Sequence, residues 1–236
     1  EVGVMRYDGE RDGIEYFTLA TVGGEQQGFA AGAGWLHQYT LVTVRKQGLA
    51  TVAFPVGSAL DPRAITGQVS EETRELAQRL QPRWLERPGL ELDWSVDGEA
   101  ALEIDNPASR PIDVELAFQS GDAHWSFGPE HIHATIAGFA TERLRVRLRR
   151  SASSLDSAFR MPELSLSADW LGEDLRVALP RKSFVVPIDA ALVASAFTGG
   201  NRFLALDGHE DALAIDHASL ALPDGPFTVE AWLSAE

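Results

Sequence analysis

DGIEYFTLATVGGEQQGFAAGAGWLHQYTLVTVRKQGLATVAFPVGS, residues Asp12–Ser58, combines three β-type runs with a glycine-rich segment. The runs are Ile14–Val22, Tyr39–Arg45 and Leu49–Val56, and the glycine-rich loop is Gly23–Gly34. Lys46-Gln47-Gly48 separates the second run from the third. A short link of this kind, ending in glycine between two β-type runs, predicts a β-hairpin.

Apolar side chains occupy both faces of these runs, as Leu41, Val42 and Val44 do in the second. A strand that is apolar on both faces normally lies between two layers of structure. Little in the sequence after this stretch could supply both layers. We therefore expect a covering layer from outside these residues, and the sequence to be an excerpt from a longer protein.

A series of short matches relates residues 1–66 to a known family. The matching residues are Arg11-Asp12-Gly13-Ile14, Tyr16, Leu19, Thr21, Gly23-Gly24, His37, Val42-Thr43-Val44-Arg45 and Val56-Gly57-Ser58. In order and spacing they resemble the C-terminal end of bacterial multidomain calcineurin-like metallophosphoesterases. The resemblance implies the terminal β-hairpin sheet of an α/β metallophosphoesterase sandwich. It also implies that the parent protein hydrolyses a phosphate ester.

The resemblance places Glu1 and Gly3 at the two histidines of a Gly-His-x-His metal motif. Glycine has no side chain to ligate a metal, and Glu1 offers an oxygen in place of a nitrogen. Either the register is shifted or this copy has lost a metal site. The resemblance implies divalent metal ions in the parent, and we expect none bound to these residues. Gly23 and Gly24 are the candidate substrate-binding residues, because glycine lets a backbone approach a phosphate closely.

Length and composition limit the possibilities. The 236 residues are enough for one large β domain or two to three small ones. The absence of cysteine excludes disulfides and thiolate chemistry. A formal net charge of −15 argues against nucleic acid or an anionic membrane as a partner. No apolar run approaches the ~20 residues of a membrane span. We expect a soluble, extracytoplasmic bacterial protein.

One helix is predicted between two β regions. Ser70–Leu80 has apolar residues on one face, and Ser70 is positioned to cap it. Pro82 and Pro88 end the helix and stiffen the connection to the next β region. We interpret 67–88 as a linker helix.

Short β runs at regular intervals predict a sandwich over residues 89–197. The runs are Leu90–Trp94, Leu102–Asp105, Ile112–Leu116, Trp125–Phe127, Thr141–Arg149, Leu164–Ala168, Leu175–Leu179 and Phe184–Ile188. Their order resembles an immunoglobulin-like accessory domain of bacterial enzymes. That resemblance implies a spacer or a partner-binding domain rather than catalysis.

Residues 198–236 contain Phe203–Ile215, Ser219-Leu220 and Phe227–Trp232, which resemble the first strands of a LamG-like, concanavalin A-like jelly roll. Some 35 residues are too few for a domain of about 150, so the jelly roll is a truncated start. The resemblance implies a possible glycan partner. Asp207, Glu210 and Asp211 are either Ca²⁺ ligands or shape a tight turn.

Two patterns in the sandwich have alternative interpretations. His131 and His133 share one face of a strand and suit Zn²⁺, but no third ligand accompanies them, which favours a solvated strand edge. Arg143, Arg145, Arg147 and Arg149 alternate with apolar residues. This basic stripe could bind an anionic polymer, and it is equally typical of an outward strand face. The net negative charge of the chain favours the outward strand face.

The remaining candidates are single residues. His37 lies between Trp35 and Tyr39 and is typical of a packed histidine. Ser58 and Ser195 have no His or Asp at a spacing that indicates a serine nucleophile.

The sequence thus predicts a mainly β chain and leaves three functions open. The first is an excerpt of a metallophosphoesterase that is itself inert. The second is a degenerate phosphoesterase-like scaffold, and the third is an adhesion or carbohydrate-binding protein that uses its LamG-like region.

Overall fold

A computed structural model of the chain describes residues 4–23, 29–55, 59–91, 93–151 and 159–189. All of them belong to one compact unit, Glu1–Ala196. The fold is mainly β, as predicted, with thirteen strands and one α-helix in the described ranges. The LamG-like stretch, 198–236, lies outside the described residues, so its assignment stays a prediction.

The first hairpin consists of β1 (Arg6–Arg11) and β2 (Ile14–Thr18). Arg11 pairs with Ile14, so Asp12-Gly13 is a two-residue loop. Both loop residues have positive φ, 53° and 75°. Asp-Gly with two positive φ angles is the turn that matches the twist of paired strands.

The second hairpin confirms the prediction made from Lys46-Gln47-Gly48. It consists of β3 (Gln38–Arg45) and β4 (Gly48–Pro55), and Arg45 pairs with Gly48 across the turn. We call this β3–β4 pair the outer hairpin.

The segment after β4 connects the two hairpins. Ala53 and Leu60 exchange main-chain hydrogen bonds of 3.0 and 2.9 Å, and the Tyr7 N–H donates to the Ile65 carbonyl at 2.7 Å. Met5, Ala53 and Ile65 form a small core beneath these bonds. The outer edge of β1 and the outer edge of β4 are therefore both occupied by this segment.

Helix α1 (Gly67–Arg79) begins earlier than its predicted cap. Thr66 is the N-cap and its hydroxyl accepts from the Val69 N–H at 3.4 Å. Ser70 is instead buried in the first turn, where its hydroxyl donates to the Ala33 carbonyl at 3.1 Å. The predicted cap was wrong because an earlier threonine takes the same role, which lets Ser70 bond a loop.

The region after the helix is a strand rather than more linker. β5 (Arg83–Glu86) pairs with the first long strand of the sandwich. The helix itself packs on the sandwich, because Val69, Leu76 and Leu80 are buried in the same core as the sandwich strands.

Two antiparallel sheets form the sandwich. The first has the order β5-β6-β10-β8, where β6 is Val96–Asp105, β8 is Trp125–Gly128 and β10 is Thr141–Arg150. The second has the order β12-β11-β7-β9, and β13 pairs with another part of β11. Its strands are β7 (Ile112–Gln119), β9 (His131–Ile136), β11 (Glu163–Leu171), β12 (Arg176–Ala178) and β13 (Lys182–Val185).

Alternating side chains build the core between the sheets. In β7, Ile112, Val114 and Leu116 are buried while Asp113 and Glu115 lie on the outer face. In the predicted strand Leu90–Trp94, Leu90 forms an isolated bridge with Val96, and the described residues that follow it lie in a turn. Trp94 has φ of 66°, its N–H donates to the Glu91 carbonyl at 3.0 Å, and the Asp93 carboxylate accepts from the Ser95 N–H and hydroxyl.

Candidate functional site

Exposed apolar side chains are concentrated on the two hairpins. Nine of the twelve large apolar residues that are exposed among the described residues lie between 14 and 49: Ile14, Tyr16, Leu19, Val22, Tyr39, Leu41, Val42, Val44 and Leu49. Val44 is 80% exposed. Four of these residues, Ile14, Leu19, Val42 and Leu49, line one cleft, and grouped apolar surface marks an interaction site more often than scattered single residues do.

The outer hairpin is apolar on both faces. Val42 and Val44 share one face with Leu49, and Tyr39 and Leu41 lie on the opposite face. All five are more than half exposed. That a further layer covers this strand stays a prediction.

A cleft of about 700 Å³ separates β2 from the outer hairpin. Its lining is mostly apolar or small: Gly13, Ile14, Glu15, Phe17, Leu19, Thr40, Val42, Gly48, Leu49 and Thr51. The cleft thus exposes the apolar faces of both hairpins to one shared space.

Glu15 is held at the side of this cleft by Arg63. The Arg63 Nε and Nη2 donate to the two Glu15 oxygens, each at 2.6 Å, and the guanidinium lies 5.6 Å from the centre of the Phe17 ring. These hydrogen bonds hold the pKa of Glu15 below its usual value. A bidentate pair of this type fixes β2 against the 60–66 segment.

The glycine-rich loop contributes packing contacts. Gly34 has φ of 91°, and a Cβ there would collide with the Met5 carbonyl oxygen. A Cβ at Gly32 would touch Val177 in β12. The two glycines therefore allow close approach of protein to protein. Gly23 is exposed with open space around its Cα, while Gly24, Gly28 and residues 56–58 lie outside the described residues.

Two buried polar groups beside this loop have no hydrogen-bond partner among the described residues. They are the Trp35 Nε1 and the Gln38 side-chain amide, and Gln38 is only 4% exposed. A buried polar group without a partner is costly, so such groups are rare in folded proteins. His37 lies between them and is half-buried with an interaction of its own, in line with its interpretation as a packed histidine.

His131 and His133 lie on β9, the edge strand of the second sheet. Both are exposed, and the His131 Nδ1 lies 3.6 Å from a Glu115 oxygen. This placement agrees with the solvated-edge interpretation. Nowhere in the described ranges do three or more His, Asp or Glu side chains converge so that they could hold a metal ion.

The outer face of the second sheet also carries an open polar depression of about 360 Å³. Arg176 occupies it and bridges Asp113 at 3.1 Å and Asp169 at 2.7 Å, while Thr135 donates to Asp113 at 2.6 Å. The charged and polar groups of the depression therefore form ion pairs and hydrogen bonds with one another.

The basic stripe on β10 faces outward and is matched by carboxylates. Arg143 pairs with Glu86 at 2.8 Å, Arg145 with Glu99 at 3.1 Å and Arg147 with Asp97 at 2.8 Å. Acidic partners on β5 and β6 neutralise these three arginines. The stripe is therefore a ladder of cross-strand ion pairs, and the alternative of an anionic-polymer site loses its basis.

Sequence reasoning missed a buried ion pair at one end of the sandwich. The Arg150 Nε donates to Asp122 at 2.9 Å and its Nη1 donates to the Trp94 carbonyl at 2.9 Å. Asp122 also accepts from the His124 N–H at 3.0 Å, and both side chains of the ion pair are inaccessible to solvent. The group has a structural role, because it ties the end of β10 to two loops.

The other candidates fall outside the described residues. These are Glu1 and Gly3, Ser58 and Ser195, and the acidic group Asp207, Glu210 and Asp211. Their assignments, and the glycan partner inferred from the LamG-like stretch, remain predictions. No helix within the described ranges is long and apolar enough to cross a membrane.

Comparison with known proteins gives little further guidance. No family model matches the chain, and no curated protein matches it. Among solved structures it is similar to a FixG-related protein from Vibrio parahaemolyticus, with 12% sequence identity and a TM-score of 0.25. The similarity covers 45% of this chain and 93% of that one. We draw no conclusion from so low a TM-score.

Proposed function

We propose that this chain is a non-catalytic part of a calcineurin-like metallophosphoesterase, in which the two hairpins pack against the polypeptide that holds the metal centre. The parent protein hydrolyses a phosphate ester with two metal ions that activate water and neutralise phosphoryl oxygens. The sandwich serves as the support that holds the hairpins in place.

The single observation that carries the proposal is the apolar exposure of both faces of the outer hairpin. Burying such side chains is favourable by roughly 1.5–3 kcal/mol each when burial is complete, so a covering layer gains substantial free energy. The matches in residues 1–66 supply the class of that layer, because they resemble the end of a metallophosphoesterase domain.

Phosphatase assays test the proposal. The isolated 236-residue chain and the complete gene product that contains it are assayed on p-nitrophenyl phosphate with Mn²⁺ and with EDTA. We expect activity only in the complete product and only with metal. A complete product without metal-dependent turnover would refute the phosphoesterase assignment, and activity in the isolated chain would refute the non-catalytic role.

A further inference from the structure

The edge strand β5 has few main-chain contacts with the rest of the first sheet. Three of its residues pair with residues of β6: Arg83 with Glu103, Trp84 with Leu102 and Glu86 with Ala101. Pro82 precedes the strand and Pro88 follows it closely, and proline has no N–H with which to extend the pairing. A strand with so little pairing depends strongly on its side chains to stay in place.

A bulge in β5 turns Glu86 to the outer face of the sheet. Side chains alternate between the two faces of a strand, so residues three apart normally lie on opposite faces. The register shifts between Trp84 and Glu86, and this extra residue brings Glu86 to the same face as Arg83. Both are exposed, and Arg83 forms an ion pair with Glu103 on this face.

The carboxylate of Glu86 reaches across β6 to β10. The Arg143 Nη2 donates to it at 2.8 Å, and the Arg145 Nη2 lies 3.8 Å from the same oxygen. β5 and β10 are not neighbours in the sheet, because β6 lies between them. We call Glu86, Arg143 and Arg145 the charge clasp.

Ala101 of β6 lies directly beneath the charge clasp. It pairs with Glu86 on one side and with Arg145 on the other. Its neighbours in alternation, Glu99 and Glu103, form ion pairs on the outer face, yet Ala101 is fully buried. Its small side chain therefore lets the long side chains of the clasp meet above it.

The charge clasp differs from the other ion pairs of β10. The pairs of Arg145 with Glu99 and of Arg147 with Asp97 join β10 to β6, and these two strands already pair along ten residues. Glu86 instead holds a strand that has three paired residues. The side chains of the clasp are about half exposed, so dissolved ions reach them. Screening is strong at high salt, because the Debye length falls from about 10 Å at 0.1 M to about 3 Å at 1 M.

We propose that the charge clasp makes the closure of β5 depend on ionic strength. At low salt Glu86 holds β5 on the sheet, and at high salt β5 detaches more often and exposes the main-chain edge of β6. An exposed ion pair contributes little to the stability of a whole protein. A short edge strand opens at a small cost in free energy, so the same contribution has a large effect on its opening. The inference does not depend on the proposed function.

The amides of β6 report separately on its two neighbours. The Asn106 N–H donates to the Ala140 carbonyl at 2.9 Å, in the register that continues along β6 and β10. By the two-residue period, the main-chain groups of Leu102 and Ile104 face β10. Those of Ala101 and Glu103 therefore face β5, and their exchange measures its opening.

Amide hydrogen exchange of the 236-residue chain at two salt concentrations tests the inference. Between about 0.05 M and 1 M NaCl, we expect exchange at Ala101 and Glu103 to rise roughly three- to fivefold relative to Leu102 and Ile104. The Arg83 amide, which faces Glu103, should rise with them. A ratio that does not change with salt would overturn the inference.

Two variants identify the charge that is responsible. Glu86→Gln keeps the size of the side chain and removes its charge, so it should raise exchange at Ala101 and Glu103 roughly three- to fivefold at low salt and abolish the salt dependence. Glu99→Gln is the matched control, because it removes a carboxylate that pairs with Arg145 and leaves Glu86 in place. Its exchange should stay within about twofold of the unmodified chain. Salt dependence that persists in Glu86→Gln, or equal effects of the two variants, would overturn the inference.

Discussion

Arg150 and Asp122 show how one buried pair can fix several loops. Arg150 reaches the carboxylate of Asp122 and the Trp94 carbonyl, and its guanidinium lies 4.9 Å from the centre of the Phe159 ring. Asp122 receives further bonds from the main chain and ring of His124. Removing one charge of a buried pair is costly because the other charge stays buried without compensation.

We predict that Asp122→Asn lowers the free energy of unfolding by about 3–5 kcal/mol at neutral pH. The change preserves shape, but it removes the charge and replaces one acceptor oxygen with an NH2 donor. Asp169→Asn is the matched control, because its partner Arg176 is exposed and screened by solvent, so the loss there should be small. Urea unfolding of the two variants measures the difference, and equal losses would contradict the prediction.

The same pair predicts acid sensitivity. Burial raises the pKa of Asp122, but the bonds from His124 and Arg150 outweigh it and hold the pKa below its usual value of 3.8. A lowered pKa in the folded state gives stability that is complete above about pH 4 and is lost as the pH falls through the folded-state value. The wild-type free energy of unfolding should therefore fall below about pH 4 more steeply than that of Asp122→Asn.

Sequence reasoning at this scale is limited by distance along the chain. Alternation in β10 correctly placed Arg143, Arg145 and Arg147 outside, and the next inward position is Arg150. A local pattern cannot supply its partner Asp122, which lies 28 residues earlier. In contrast, Asp12-Gly13 is a local turn signal, and applying it would have predicted the hairpin of β1 and β2.

Helix α1 is an integral part of the sandwich unit. Glu72 accepts hydrogen bonds from the Ser109 hydroxyl at 2.6 Å and from the Trp170 Nε1 at 2.8 Å. At the other end of the helix, the Lys182 Nζ donates to the Leu80 carbonyl at 2.9 Å. A cation at this end also suits the helix dipole. The helix is therefore anchored at both ends.

We predict that Glu72→Gln lowers the free energy of unfolding by roughly 1–2 kcal/mol, because a charged acceptor for two side chains becomes a neutral amide. Glu75→Gln is the control on the same helix, since Glu75 pairs with the exposed Arg79 and should contribute little. Thermal unfolding of both variants tests this. A Glu75 variant that loses as much as the Glu72 variant would contradict it.

The helix also shows why the linker prediction was incomplete. Its amphipathic pattern predicts the helix, and the prolines after it predict where the helix ends. A local sequence pattern does not reveal tertiary contacts. The partners of Glu72, which are Ser109 and Trp170, lie far from it along the chain. In the same way, Arg83–Glu86 lies between two prolines but forms the edge strand of a sheet, because it pairs with the distant strand β6.

At the scale of the whole molecule, the hairpin region and the sandwich share a core. Val4, Ala30, Ala33 and Trp35 are buried in the same cluster as the sandwich strands. Val177 in β12 is fully buried and lies so close to Gly32 that a Cβ on Gly32 would contact it. The described residues between 4 and 66 are therefore packed together with the sandwich.

We predict that the hairpin region and the sandwich unfold in one cooperative transition. Val177→Ala should lower the free energy of unfolding by about 2 kcal/mol, and hydrogen exchange should report the same change in β1 and in β7. Val185→Ala is the control, because Val185 is 58% exposed. Two separate transitions, or a Val177 effect confined to the sandwich, would contradict this prediction.

Among the described strands β3 pairs only with β4, so its other edge is open, and this has a consequence for biosynthesis. A strand that is apolar on both faces and has one unpaired edge can pair with any other unpaired strand in a crowded cell. Isolated chains of these 236 residues should therefore accumulate as insoluble material at high expression.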